Sequence, residues 1–491
     1  MRSVIVVPGR PGFKALLWWF QGPDAVAAHY RFELDGNPLL PTIAPIPVST
    51  ALGIVNGSAG AVAARTFLLV TAHADGASGD THQLRVSCAG DTSNTARSST
   101  LPASADGLNM VLASCYYSGN TRLLAVAPMH REFLAPNPPP HVKMLCGDQI
   151  YLDLDFGGFY PRPLDAPWDD YQKQWYDERF LGWMANGGNL CMADDHEFWN
   201  NFPSEERAGV LSSIFKAPPE QVAAEMEQAF MIYQGVLNAD PDDWLLKPAT
   251  TTLVEDDLHC FEFPGVHAPA AYDPYFCMLV LDTRTRRTSL DTHTPPYQFT
   301  EPVWLLKTLS RLTQRNGPTL LVTSQSMLDK GGGSEANLAD YSAQFGTLGQ
   351  AIWNCPHQLL LLTGDIHWSR AQWFKNEGTG KKHYEIVSSA LSRIHFAWDF
   401  HDLSKLQSKV TWGTQVVNAT RNGDSDAPCN YAVLDFSTYD LGTHCRVRWF
   451  EIDGDGRHLP LNMTAGWSAD LKTSMGLTRP LMQIPFDLLK E

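Results

Sequence analysis

Two hydrophobic periods divide the chain. Up to about residue 105, apolar and polar residues alternate in segments such as Thr66–His73 and His82–Cys88, separated by Gly, Asp, Asn and Ser clusters. No helical period competes there, so the pattern predicts a small β-sandwich over residues 1–105. The Ser-, Thr- and Ala-rich stretch Asp91–Gly107 reads as a connection. From Leu108 onward, short continuous apolar runs alternate with longer segments of helical pattern, which predicts an α/β domain over residues 106–491. Helices are expected at Pro167–Met184, Pro218–Leu237, Pro302–Arg315 and, after the triplet Gly331–Gly333, at Ser334–Trp353. Three of them open on proline, which costs no hydrogen bond at the first helical position. Continuous apolar runs suit strands covered on both faces. A last β region, Tyr384–Ser389 and Tyr431–Ile452, is expected to supply a second sheet.

Five of the apolar runs end in a residue able to hold a metal ion: Met110–Cys115, Val142–Asp148, Asn189–His196, Leu320–Gln325 and Leu359–His367. Strands side by side would bring these ends together at one sheet edge, which is how an α/β protein assembles a site from distant sequence.

Composition narrows the partners. The length of 491 residues exceeds one ordinary domain. A net charge of −16 argues against an extended nucleic-acid or anionic-membrane surface. It leaves room for a small phosphate-bearing substrate, because metal ions reverse the local sign. No apolar stretch approaches the ~20 residues of a membrane span. The apolar pieces Val4–Val7 and Ala15–Phe20 are too short for a secretory leader. Nine cysteines, an odd number with no Cys-x-x-Cys pair, fit reduced thiols and a cytoplasmic setting.

In Gly147-Asp148-Gln149-Ile150-Tyr151 the glycine permits a sharp exit from a strand, and residues three apart in a turn lie within ~7 Å. Asp148 and Tyr151 can therefore reach one ion, or else form a turn cap beside a packed tyrosine. A tyrosine oxygen becomes a good ligand when a strong Lewis acid such as ferric iron displaces its proton. Asp194-Asp195-His196-Glu197 follows a buried run, where unpaired charge is costly. Asp195 could ligate and His196 give a proton to a leaving group, or the acids could complement a helix N-terminus. Asn200 and Asn201 could supply an amide ligand or hold a phosphate oxygen. In Gly364-Asp365-Ile366-His367, alternation along a strand end would put Asp365 and His367 on one face, a donor pair suited to Fe, Mn or Zn. Cys115 is either a soft ligand or a small buried apolar residue. Gln325 can hydrogen-bond or ligate. Arg284 could meet phosphate, although the residues alone favour an internal ion pair with Asp282 or another buried acid.

Taken in this order, the motifs resemble the alkaline phosphatase D (PhoD-like) family of the metallophosphoesterase superfamily, over roughly residues 20–455. The pieces that match are Ala113–Cys115, Gly147–Tyr151, Asp194–Glu197 with Asn200 and Asn201, Leu281–Arg284, Ser324-Gln325 and Gly364–His367. The resemblance implies a four-layer α/β/β/α sandwich after the small β-sandwich, with an insert at about 198–275. It implies two or more metal ions, Fe(3+) with Ca(2+), or Mn or Zn in place of either. Asp148 would bridge them, Cys115, Tyr151 and His367 would hold the iron-like site, and Asp195, Gln325 and Asp365 would face the second. His196 would be the acid near the leaving group, with Asn200, Asn201 and Arg284 on the substrate. The implied reaction is hydrolysis of phosphomonoesters or phosphodiesters by in-line attack of a metal-bound hydroxide. The chain departs from the wider superfamily in three places. Tyr117 stands where an Asp-x-His pair would end, Asp194 replaces the Gly of Gly-Asn-His with Asp195 in place of Asn, and Asp365 replaces the first His of Gly-His-x-His. An alternative is a catalytically weak scaffold that binds metal or phosphate through the same pocket.

Overall fold

The structure, a computed structural model, describes residues 4–23, 29–45, 66–73, 79–88, 90–103, 106–118, 138–153, 164–204, 217–246, 256–263, 277–291, 293–314, 319–329, 336–367, 369–392, 409–425, 430–439, 442–452, 458–460 and 482–486.

Turn-rich alternating sequence forms two antiparallel sheets at the N-terminal end. One runs β1 (Ile5–Pro11), β2 (Ala15–Gly22), β6 (Thr66–His73), β5 (Thr42–Pro45). The other runs β4 (Asn37–Leu39), β3 (Arg31–Leu34), β7 (Thr81–Cys88), β8 (Asp91–Thr92), with β9 (Ala96–Ser99) on β7. Along β7 exposed and buried residues alternate, as a half-solvated strand requires. Val6, Trp18, Phe20, Phe32 and Val86 fill the space between the sheets. β1 and β2 instead bury every residue. Their other face, Ile5, Val7, Leu17 and Trp19, packs against Trp168, Tyr171 and Tyr233 of the following part. Trp19 and Tyr233 have ring centroids 5.4 Å apart, and Asn189 Nδ2 donates to Pro8 O at 2.6 Å. One core therefore crosses residue 105.

Two larger sheets follow. In the first, β12 (Gly188–Met192), β11 (Val142–Cys146) and β10 (Asn109–Ala113) are parallel, and β21 (Asn430–Tyr439) joins β10 antiparallel, followed by β22 (Gly442–Ile452) with β23 (His458–Pro460) and β24 (Met482–Phe486). The second runs β13 (Cys260–Phe263), β14 (Cys277–Leu281), β15 (Thr319–Val322), β16 (Leu359–Thr363), β18 (Lys382–Val387), β17 (Ser369–Lys375), β20 (Gln415–Ser425), β19 (Lys409–Trp412), with β14, β15, β16 and β18 mutually parallel. Leu112, Met144 and Leu190 meet Val280, Leu320 and Leu360 between them. Helices α1 (Ala166–Tyr176), α2 (Glu178–Met184) and α3 (Glu220–Tyr233) cover the first sheet. The short α4 (Pro241–Leu246) and α5 (Asp256–His259) come next, and α6 (Pro302–Gln314) and α7 (Ser342–Trp353) cover the second sheet. The layers are α/β/β/α, as the resemblance implied.

Several boundaries differ from the sequence reading. The 167–184 helix is two, because Asp177 turns extended (ψ 120°) and its carboxylate caps Arg179 N–H instead. The 218–237 helix ends at Tyr233 and tightens into a 3₁₀ turn, Gly235–Asn238. The last helix begins at Ser342 rather than Ser334, after a 3₁₀ turn capped by Asn337 and a break at Tyr341. Gly331–Gly333 lie outside the described residues. The closing β region does not make one second sheet: Tyr384–Val387 joins β16, whereas Tyr431–Ile452 joins β10. Of the 198–275 insert, α3, α4, α5 and β13 are described, while 205–216, 247–255 and 264–275 are not.

Two histidines serve the sheets as neutral acceptors. His383 Nδ1 accepts Leu359 N–H at 3.2 Å, and His141 Nδ1 accepts Asn109 N–H at 3.2 Å. Burial pushes the first down to about 3 and the second to about 4. An unfolded imidazole titrates near ~6.5, so below that pH the unfolded chain binds the extra protons. Stability should fall as pH drops from there toward about 4, by ~1.4 kcal/mol per pH unit for each histidine. His383→Gln is expected to flatten that slope by one histidine's share in urea unfolding between about pH 7 and about pH 5. An unchanged slope would show that the imidazole takes up its proton in place.

Candidate metal centre

The exits of β10, β11, β12, β15 and β16 meet where the two large sheets converge. Cys115 N–H donates to Gly147 O at 3.1 Å within the first sheet's exits and Gly364 N–H to Ser324 O at 3.0 Å within the second's, while Asp365 N–H donates to Ser114 Oγ at 3.3 Å and joins the two sets. The turns are tight. A Cβ on Gly147 (φ +85°) would run into Asp194, and one on Gly364 would stand 2.6 Å from Ser114 Cβ.

Tightness shows in the backbone as well. Among the described residues, six non-glycine residues have positive φ, and five of them are candidate site residues: Cys115 (59°), Asp148 (57°), Asn201 (64°), Asp365 (68°) and His367 (54°). Such conformations are uncommon outside glycine and persist where surroundings over-determine them. They also correct one expectation. β16 ends at Thr363, so Asp365 and His367 reach the same centre through a left-handed turn, not through strand alternation.

Three groups of side chains offer ligand atoms within 4.8 Å of one another: Cys115, Asp148 and His367; Asp148, Asp195 and His196; and Asp148, Asp194, Asp195 and Asp365. Asp148 belongs to all three. Cys115 Sγ lies 3.4 Å from Asp148 Oδ2, and Tyr151 Oη lies 3.2 Å from His367 Nε2. The Tyr151 ring also packs on His196, centroids 4.2 Å apart. Burial pushes the Cys115 thiol and Tyr151 phenol well up, and the neighbouring acids push the same way. Burial likewise raises Asp148. For Asp195 burial is outweighed by His196 and Arg284, which hold it down. For His196 burial is outweighed by Asp153, Asp195 and Asp148, which hold it well above its usual range.

The donor set fits metal ions. Asp194 Oδ2 and Asn201 Oδ1 are buried acceptors with no hydrogen-bond partner, and Asp195 Oδ1 has the Arg284 guanidinium 3.5 Å away but no hydrogen bond. Buried carboxylate oxygens that no donor satisfies call for a cation. A thiol, a phenol and an imidazole around one carboxylate suit a transition metal, and clustered carboxylates suit a harder ion.

The remaining candidates take more specific places. Asn200 N–H donates to Asp153 Oδ2 at 2.8 Å and Asn201 N–H to Asp195 Oδ2 at 2.5 Å. Arg284 is fully buried behind the acids: Nε donates to Asp194 Oδ1 at 2.6 Å, and its NH2 lies 3.5 Å from Asp195 Oδ1. The ion-pair reading of Arg284 is the one the contacts show, with Asp194 rather than Asp282 as partner. Gln325 Oε1 accepts from Arg287 at 2.9 Å, while its Nε2 donates to Asp365 Oδ2 at 2.8 Å. Arg287 thus fixes which way the amide faces and turns its donor, not its oxygen, toward the acids.

Sequence reasoning missed Asp153 and Arg287, and named Glu197 only as part of its motif, without a role. Asp153 Oδ1 meets His196 Nδ1 at 2.8 Å. Its place two residues after Tyr151 was a usable signal. Glu197, raised to about 7 by burial against several hydrogen bonds, takes backbone N–H groups from two strand exits. Arg287 carried no signal beyond lying three residues from Arg284.

No family model matches the chain, and no curated protein matches it. Among solved structures it is similar to that of PhoD, with a TM-score of 0.56 and 14% sequence identity, covering 94% of this chain and 92% of that one. The chain has a PhoD-like fold.

Proposed function

We propose that this chain is a metal-dependent phosphoesterase acting on small phosphomonoesters or phosphodiesters. The observation that carries this reading is that Asp148 is shared by three potential ligand groups at the converging strand exits. The PhoD-like fold supports it. Asp148 with Cys115, Tyr151 and His367 would hold one ion, with a phenol and thiol suited to ferric iron. Asp148 with Asp195 and Asp365 would hold a second, harder ion such as calcium, with Gln325 steadying Asp365; manganese or zinc could replace either. When bound, such ions would lower the pKa of water and neutralise charge on phosphate oxygens.

The chain's own groups do the rest. Asp153 engages His196 Nδ1 and the nearby acids favour the imidazolium, so Nε2–H is the proton offered to a leaving-group oxygen. Asn200 and Asn201, whose backbone N–H groups bind Asp153 and Asp195, would hold a phosphate oxygen. Arg284 stays behind Asp194 and Asp195 as a fixed counter-charge. No helix among the described residues is long and apolar enough to cross a membrane.

Metal-depleted protein reconstituted with iron and calcium, manganese or zinc should hydrolyse p-nitrophenyl phosphate or its bis ester and lose that activity to a chelator. A visible tyrosinate band that vanishes in Tyr151→Phe would support ferric iron. Failure to hydrolyse either ester with any of these metals would overturn the reading, and zinc as the sole bound metal would overturn the iron assignment.

A further inference from the structure

Glu197 closes the acidic string after β12, is fully buried, and belongs to none of the groups able to share an ion. Its carboxylate is spent on the protein. Oε2 accepts the N–H of Asp148 and the N–H of Asp194, both at 2.8 Å. Oε1 accepts the N–H of Gln149 at 2.6 Å and Nε2 of Gln234, just past α3, at 3.3 Å. These backbone donors lie where β11 and β12 have ended, beyond the reach of ladder bonding. One charged acceptor therefore ties together the two turns that present Asp148 and Asp195. The same two turns press on each other at Gly147, where no Cβ fits against Asp194.

We propose that Glu197 is a positioning residue that sets the separation between Asp148 and Asp195, so that metal affinity depends on a side chain that touches no metal. The inference rests on the proposed metal-dependent function. A carboxylate suits the task because all four donors converge on two acceptor oxygens, and bonds to a charged acceptor are the stronger kind. A glutamine in its place must turn an NH2 toward one of the two donor pairs, whichever way the amide is set. That opens one side of the clamp while leaving the volume unchanged. Groups that orient metal ligands without binding the metal typically matter by 10–100-fold in affinity.

The test is calorimetric titration of metal-depleted protein with Mn(2+), alongside thermal unfolding without metal. Glu197→Gln should bind Mn(2+) about 10–100-fold more weakly than the wild type. Wild-type affinity and stoichiometry in a folded Glu197→Gln variant would overturn the proposal, even if its melting temperature fell, since that is all a merely structural role predicts. Should that variant fail to fold, Glu197→Asp decides. It keeps the charge but is one methylene short of spanning both turns, so its affinity should also fall, and unchanged affinity overturns the clamp. Wild-type protein that binds no Mn(2+) would overturn the metal-dependent reading itself, and the inference with it.

Discussion

Asp148→Asn is expected to cut hydrolysis of an aryl phosphate by ~10³-fold or more, a loss of ~4 kcal/mol of transition-state stabilisation. Asp148 Oδ2 faces Cys115 Sγ and Oδ1 accepts His196 N–H at 3.2 Å, so the carboxylate looks toward both halves of the centre. Asparagine keeps the shape, removes the charge and turns one oxygen into a donor. Bound metal should drop together with turnover. Burial makes the ionised carboxylate costly without a cation. The metal-free variant should therefore unfold at the same temperature as the metal-free wild type, or higher, in keeping with function bought at the expense of stability. Elemental analysis and a melting curve read both effects. Wild-type turnover with wild-type metal content would remove Asp148 from the bridging role.

The second large effect depends on the leaving group. If His196 gives its proton to the departing oxygen, His196→Gln should slow an alkyl phosphate by ~10²–10⁴-fold, the usual range for a positioned acid. A p-nitrophenolate leaves without needing that proton, so the same variant should lose less than ~10-fold on the aryl ester. Asp153→Asn should show the same leaving-group pattern in weaker form, since Asp153 holds Nδ1 and raises the imidazole. Equal losses on both esters would assign His196 to metal or substrate binding instead of proton donation.

What was legible in the sequence follows from how local each signal is. The strand runs were readable because continuous apolar stretches mark strands covered on both faces, and β10, β11, β12, β15 and β16 are buried throughout or nearly so. The candidate metal ligands were readable because most of them follow the end of such a run. Helix ends were less so. Asp177 interrupts a helix by capping Arg179 N–H with its own side chain, and Tyr341 leaves helical backbone with its hydroxyl on Thr288 O, neither of which a hydrophobic period registers. Left-handed backbone at Asp365 and His367 was invisible for another reason: the groups that hold that turn, among them Ser114, Ser324 and Ser389, come from elsewhere in the chain. The partners of charged groups were the hardest. Arg284 pairs with an acid 90 positions away, and Arg287 reaches Gln325 across 38. Such distances become contacts only once the two sheets have packed.

The two-faced burial of β1 and β2 bears on how the molecule can move. A sandwich joined by a string could swing over the candidate metal centre as a lid. Here one of its sheets is itself a wall of the neighbouring core, held by Trp19 against Tyr233 and by Asn189 against Pro8. Rotating it would expose indole and aliphatic surface to water, so it acts as a buttress rather than a gate. Motion of that sheet toward the strand exits would have to break the shared core first.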